Sequence, residues 1–119
     1  MKLRTKETHV AYQDAQSSHK NFSQTKDYTQ DQERILKEYT HWYIIPNLYP
    51  YDQVTKIHDM LVPRRVFSRM SECNKNEWDE YLTIIAQLEQ EKKYDALIEN
   101  FAKGRSVLRH LHLHLVIWK

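Results

Sequence analysis

Only one cysteine, Cys73, occurs in the chain. An intrachain disulfide is therefore excluded, and a reducing, intracellular setting fits best. Cys73 has no Cys or His pattern beside it and reads as an ordinary thiol. No apolar run approaches the roughly 18 to 20 residues that a membrane span needs. The charged start, Met1 to Glu7, continues into polar sequence, unlike a secretory signal. Charge of one sign is not in excess either. A formal charge of +2 with 29% charged residues sets up no strong field toward a nucleic-acid polymer or a membrane. Nothing repeats at a fixed period. These absences describe a soluble, cytoplasmic protein. Its 119 residues, 40% of them apolar, suffice for one domain around one modest core.

Apolar residues are unevenly spread. In residues 1–28, Val10 is the only Val or Ile and Leu3 the only Leu. That stretch buries too little apolar surface to offset its ordering entropy, so a mobile or loosely docked arm is expected, able to fold onto a partner. The domain proper is assigned to residues 29–119. Thr29 and Gln32 have capping-box spacing, and Ile35, Leu36 and Tyr39 follow at helical intervals, which predicts a helix over about 30–39. His41 to Ile45 is β-branched and aromatic and stops at Pro46, a strand. Residues 47–52 carry turn formers. Ile57 to Val62 reads as a strand closed by Pro63.

Asn74 and Glu77 form a second capping signature. Behind it Trp78, Tyr81, Leu82, Ile85 and Leu88 mark one face of a helix over about 75–92, with Trp78 and Tyr81 assigned to the core. Tyr94 to Asn100 reads as a strand. Gly104, the only glycine, marks the turn before a last strand, Ser106 to Trp118. The fold class is α+β: a mostly antiparallel sheet of about five strands covered by one long helix, with an N-terminal helix and the polar arm.

Three of the seven histidines fall within five residues. At strand period two, His110, His112, His114, Val116 and Trp118 share one face, and Leu111, Leu113, Leu115 and Ile117 the other. The leucine face is a core face, so the histidines line the opposite, accessible side. A solvated edge strand would be served as well by threonine or lysine. A metal site is disfavoured by spacing. His110 and His114 stand about 13 Å apart at about 3.3 Å per residue, too far to share one ion at bond lengths near 2.0–2.1 Å. Catalysis uses the row directly. Imidazole is neutral and nucleophilic near pH 7 and stabilises anions when protonated. One nucleophile between two phosphate-contacting groups matches what phosphoryl or nucleotidyl transfer requires.

The segment His110-Leu-His112-Leu-His114-Leu-Val116 resembles the signature of the histidine triad (HIT) superfamily, in which three histidines alternate with apolar residues. The surroundings resemble it too, over about residues 41–118. Asn47-Leu-Tyr-Pro50 is similar to the family's Asn/Asp-x-x-Pro loop. His58 to Arg65 is similar to its strand that opens with His and closes with Pro and basic residues. Asn100 stands where a strand ends in Asn, and Ser106-Val107 where a Ser/Thr-Val pair precedes the triad. The resemblance implies a compact αβ fold, a homodimer, no cofactor or metal, and attack at the α-phosphate of a nucleoside 5′-phosphate derivative such as a dinucleoside polyphosphate or phosphoramidate. It implies that His112 is the nucleophile and forms a nucleotidyl-histidine intermediate, supported by His110 and His114. It places Asn47 at the ribose hydroxyls, and Asn100 and Ser106 at the phosphate.

This chain departs from that pattern in places. Val66 stands where the phosphoramidase branch has a further histidine. Arg105 replaces the usual glutamine before Ser-Val, and either binds phosphate or faces solvent. One extra residue separates Val107 from His110, so a bulge or shifted turn is expected there. These differences motivate the alternative of a non-catalytic HIT-like module that binds nucleotides or a protein. His41 and His58, at strand starts, are read as structural. Tyr49 and Tyr51 are read as packing under the loop rather than stacking on a base.

Overall fold

The computed structural model describes residues 2–119. Two helices, α1 (Lys6–Ser17) and α2 (Phe22–Thr25), and a 3₁₀ turn (Gln32–Arg34) lead into strands β1 (Lys37–Glu38), β2 (Trp42–Pro46) and β3 (Thr55–Pro63). Helix α3 (Lys75–Glu91) follows, then β4 (Ala96–Ile98) and β5 (Leu113–Trp118). The strands form one antiparallel sheet in the order β1-β2-β3-β5-β4. The fold class is the expected one.

Alternation along the central strands gives the sheet two buried faces. On one, Trp42, Ile44, Leu61, Leu113 and Leu115 pack with Phe67 and with Ile84 and Leu88 of α3. On the other, Tyr43, Ile45, Met60, Val62 and Val107 pack with Tyr28, Phe22 and Ile35 from the N-terminal third. Each fully buried aliphatic contributes about 1.5–3 kcal/mol, so the long helix and the N-terminal segment each cover a face that would otherwise be exposed. Helix α3 begins as expected. Asn74 accepts the Glu77 N–H at 2.8 Å, and the Glu77 carboxylate accepts the Asn74 N–H at 2.8 Å. The helix ends at Lys92 in the left-handed conformation (φ 55°), a position glycine usually fills.

Several expectations are corrected. The helix over 30–39 does not form. Thr29 turns its hydroxyl and N–H onto Asp27 instead of capping (2.6 and 3.1 Å). The chain then pairs with β2, Leu36 N–H to Ile44 O and Tyr39 N–H to Trp42 O. Ile35 and Tyr39, which a helix would place together, contribute to opposite sheet faces. The last strand is shorter than Ser106–Trp118. The chain bends at Arg109 and His110, where the extra residue was noted, and β3 ends at Pro63, which has no N–H to extend the ladder. The strand before the Gly104 turn is only Ala96–Ile98. On α3, Trp78 is 43% exposed and stacks on Tyr81. The neighbouring Glu77, although charged, is buried instead, at 2% exposed.

The segment 1–28 was expected to be mobile or loosely docked; over the described residues it is mostly helical and touches the domain at defined points. Thr5 caps α1, and its N–H and hydroxyl donate to Asp52 (2.7 and 3.0 Å), as does the Thr8 hydroxyl. Leu108 N–H donates to Ser23 O at 2.6 Å. Asp52 is thus the main polar anchor of α1. Replacing it with alanine is expected to speed amide hydrogen exchange across residues 6–17 while exchange in β2, β3 and β5 stays unchanged; equal exchange in α1 would show that aromatic contacts hold it.

Candidate active site

His110 and His112 have their protons fixed by backbone partners that can play only one role. His112 Nδ1 lies 3.1 Å from the carbonyl of His110. A carbonyl only accepts, so Nδ1 carries the proton and Nε2 keeps its lone pair. His110 receives the Tyr28 N–H on Nδ1 (3.0 Å) and therefore donates from Nε2 to Pro63 O (2.8 Å). These bonds hold the bend before β5 against the end of β3.

A fourth histidine joins the row. Tyr51 N–H donates to His58 Nδ1 at 2.9 Å, so His58 Nε2 carries the proton and donates to His114 Nδ1 at 2.7 Å. His114 then carries its proton on Nε2, which lies 3.2 Å from the Asn100 side-chain amide. The two ends of that amide interchange by rotation, so its oxygen accepts. His58, read from sequence as structural, orients a triad member. A usable signal was present: His58, Met60 and Val62 share one face of β3, opposite Leu61 in the core. Pairing β3 with β5 sets His58 opposite Val116 and Met60 opposite His114, and His58 reaches His114 diagonally.

The histidine face is not open, as its polarity suggested. His110 is 0% exposed, His112 6% and His114 3%. The Tyr28 ring packs on His110 and His112 with centroids 5.5 and 5.3 Å away, and Tyr51 packs on His58 and His114. Burial drives the pKa of these four imidazoles down. His112 falls to about 4, helped by the nearby Arg105 charge, and His58 falls to about 4, helped by Arg4. His110 and His114 are also lowered, desolvation again the main cause. All four are neutral at pH 7.

In the unfolded chain these histidines protonate near pH 6.5, whereas the native state resists protonation until about pH 4 at His58 and His112. Between those values the unfolded state binds more protons, so native stability falls as pH drops from 6.5 toward 4. Thermal unfolding at pH 7, 6, 5 and 4 is expected to show a progressive loss over that window, reduced in His58→Gln; a flat profile would contradict neutral burial.

A cavity of about 430 Å³ opens onto this row. His112 and His114 line it, as do Asn47, Asn100, Arg105 and Ser106; six of the seven residues singled out from sequence share one cavity. His110 lies behind them. Asn47 is fixed by accepting the Tyr49 N–H at 2.8 Å, with its amide nitrogen 3.3 Å from His58 Nε2. Arg105, left between two orientations, turns inward. Its Nη1 donates to Ser68 O at 2.6 Å, while Nε is buried without a hydrogen-bond partner. Sequence reasoning missed the wall opposite: Arg4, Tyr12, Phe22 and Tyr28, all from residues 1–28. Nothing in that polar stretch signals which side chains reach the cavity.

Among the described residues, no group of three or more His, Cys, Asp or Glu side chains is placed to hold a metal ion. Cys73 packs against the core beside α3, and burial pushes its thiol up to about 11, so it is unreactive at neutral pH.

No protein-family model and no curated protein sequence matches the chain. Solved structures do. A HIT family hydrolase from Clostridium thermocellum superposes with a TM-score of 0.56 at 23% identity, over 77% of this chain and 86% of that one. A HIT family hydrolase from Legionella pneumophila gives 0.54 at 19% identity, over 73% and 84%. A histidine triad protein from Clostridium difficile gives 0.52 at 21%, over 71% and 77%. The chain has the histidine triad fold, as its motif implied.

Proposed function

We propose that this protein is a HIT-type nucleotide hydrolase or nucleotidyl transferase, hydrolysis being the main reaction, acting on nucleoside 5′-phosphate derivatives through His112. One observation carries the reading: His112 holds its proton on Nδ1 against the His110 carbonyl, leaving Nε2 unprotonated in a basic cavity that also holds Asn100, Arg105 and Ser106. In the first step the Nε2 lone pair attacks the α-phosphorus. The bond to the leaving oxygen or nitrogen breaks with its electron pair, and the leaving group takes a proton from water. The imidazole becomes cationic, and the His110 carbonyl stabilises its Nδ1–H. His114 Nε2–H, exchanging the Asn100 oxygen for phosphate, and Arg105 donate to phosphoryl oxygens as charge redistributes, and Asn47 holds the ribose hydroxyls. Water, or another acceptor, then attacks phosphorus. The P–N bond breaks, its electrons return to Nε2, and the attacking oxygen loses its proton to the hydroxide that the first step left in solvent.

His58 keeps His114 in the donating tautomer, which makes it a positioning residue. The homodimer that the HIT resemblance implies agrees with Trp78 and Leu82 standing half-exposed on α3. No helix among the described residues is long and apolar enough to cross a membrane. The direct test is to incubate the protein with adenosine phosphoramidate and with diadenosine polyphosphates and to follow AMP release. Turnover of either supports the reading. AMP binding without turnover of any of them favours a non-catalytic nucleotide-binding module.

A further inference from the structure

The cavity carries more positive charge than one reacting phosphate uses. Arg4, Lys26, Arg34 and Arg105 line it, against a single carboxylate, Asp31. Asp31 is engaged by Arg34 at 2.9 Å and Lys26 at 3.7 Å, so these three form a self-contained cluster. Arg4 and Arg105 are different. Neither has a carboxylate within ion-pair distance among the described residues. Arg105 stands by His112, close enough to depress its pKa, and belongs with the reacting phosphate.

Arg4 stands apart from it, on the Asn47 side. Its Nε donates to Tyr49 O at 2.7 Å, and its guanidinium carbon lies 4.2 Å from the Tyr12 ring centroid and 4.9 Å from that of Tyr51. The planar group packs against both rings and is tied at Nε, which restricts its orientation. Only Nε is spent on the protein; no partner is found for either Nη among the described residues. Its charge is felt at His58 and His114. A guanidinium held rigidly in a cavity, with its two terminal nitrogens free, is arranged for bidentate binding of an oxyanion.

We propose that Arg4 binds a second phosphate of the ligand, so that the site prefers nucleotides carrying a phosphate beyond the α-phosphate. This rests on the nucleotide reading above. The second phosphate is either further along the 5′ chain or on the ribose, and both present the same dianionic oxygens to Arg4. The N-terminal segment thereby becomes part of the specificity machinery, with α1 and its Asp52 anchor holding Arg4 in place.

Calorimetric titration with AMP, ADP and adenosine 3′,5′-bisphosphate separates the cases. Wild type is expected to bind ADP or the bisphosphate at least tenfold more tightly than AMP, and whichever shows the gain locates the second phosphate. Arg4→Gln, which keeps a hydrogen-bond donor without the charge, is expected to erase that preference. Arg4→Lys is expected to restore part of it. Hydrogen exchange over residues 6–17 checks that α1 stays docked in each variant. A preference that survives in Arg4→Gln with α1 docked, or AMP binding with no gain from a second phosphate, overturns the assignment of Arg4 and leaves the nucleotide reading standing. Failure to bind any of the three overturns both.

Discussion

His112→Ala is expected to lower turnover of AMP-linked substrates by at least about 10⁴-fold, the scale on which loss of a covalent nucleophile acts. Mononucleotide binding should change far less. The effect is large because no neighbour can substitute. His114 Nδ1 is occupied by His58 Nε2–H and its Nε2 carries a proton. His110 is committed at both nitrogens and lies behind the cavity wall. Of the triad, only His112 presents a lone pair to the cavity. The fold should survive, because the leucines that build the core lie on the opposite face of the strand. The check is kcat for AMP release together with AMP affinity. A variant with near wild-type kcat would remove His112 from the mechanism; one that neither turns over nor binds AMP would point to collapse of the cavity.

The same lowered pKa values predict where activity ends in acid. His112 is neutral above about pH 4, so loss of its nucleophilic form accounts for inactivation only near that pH. Activity lost between pH 6.5 and 5 would have to come from unfolding.

The largest effect on stability is expected at Glu77. Its carboxylate is buried, accepts from Arg65 Nε and Nη2 at 3.1 and 2.7 Å, and closes the capping box at the start of α3. Burial by itself would raise its pKa, but the hydrogen bonds from Arg65 and Asn74 outweigh it and hold the group below the usual carboxylate range. Glu77→Ala removes both roles. Breaking a buried ion pair costs about 3–5 kcal/mol. The half-exposed Arg65 can rehydrate, which puts the expected loss near the lower end, about 3 kcal/mol by the same measure. Glu77→Gln keeps the capping geometry and should lose less, about 1–2 kcal/mol, the charge-assisted part. Equilibrium urea denaturation of both variants tests this, and equal losses would show that only the charge matters. Because the folded pKa is depressed, the contribution of Glu77 is complete above the unfolded carboxylate pKa and disappears as pH falls through the folded value. It therefore adds to the acid sensitivity that the buried histidines impose.

Where pattern and packing agreed, the sequence was informative. The alternation Leu111, Leu113, Leu115 against His110, His112, His114 placed the leucines in the core and His112 and His114 at the cavity, and the capping pair Asn74 and Glu77 placed α3 to within a residue at each end. Two kinds of feature were hidden. Ile35, Leu36 and Tyr39 fit helical spacing equally well whether or not a helix forms, and only the hairpin bonds to Ile44 and Trp42 decide between the two. The N-terminal segment lacks branched aliphatics, so its composition suggested an arm. Its contacts are made by aromatic rings instead: Tyr12, Phe22 and Tyr28 supply the area that valine or leucine would. The accessible face inferred for the histidines was wrong for the same reason, since Tyr28 and Tyr51 cover it. Tyr51, read as packing under its loop, packs on His58 and His114 and, like Tyr49, also lines the cavity.

The most direct test of the account is rapid acid or base quenching of the wild-type protein with a substrate it turns over, followed by peptide mass spectrometry. The account predicts a nucleotidyl group on the peptide holding Leu111 to Leu115, localised to His112, formed before product and absent in His112→Ala. Turnover with no protein-bound nucleotide at any time, or a nucleotidyl group carried by another residue, would contradict it.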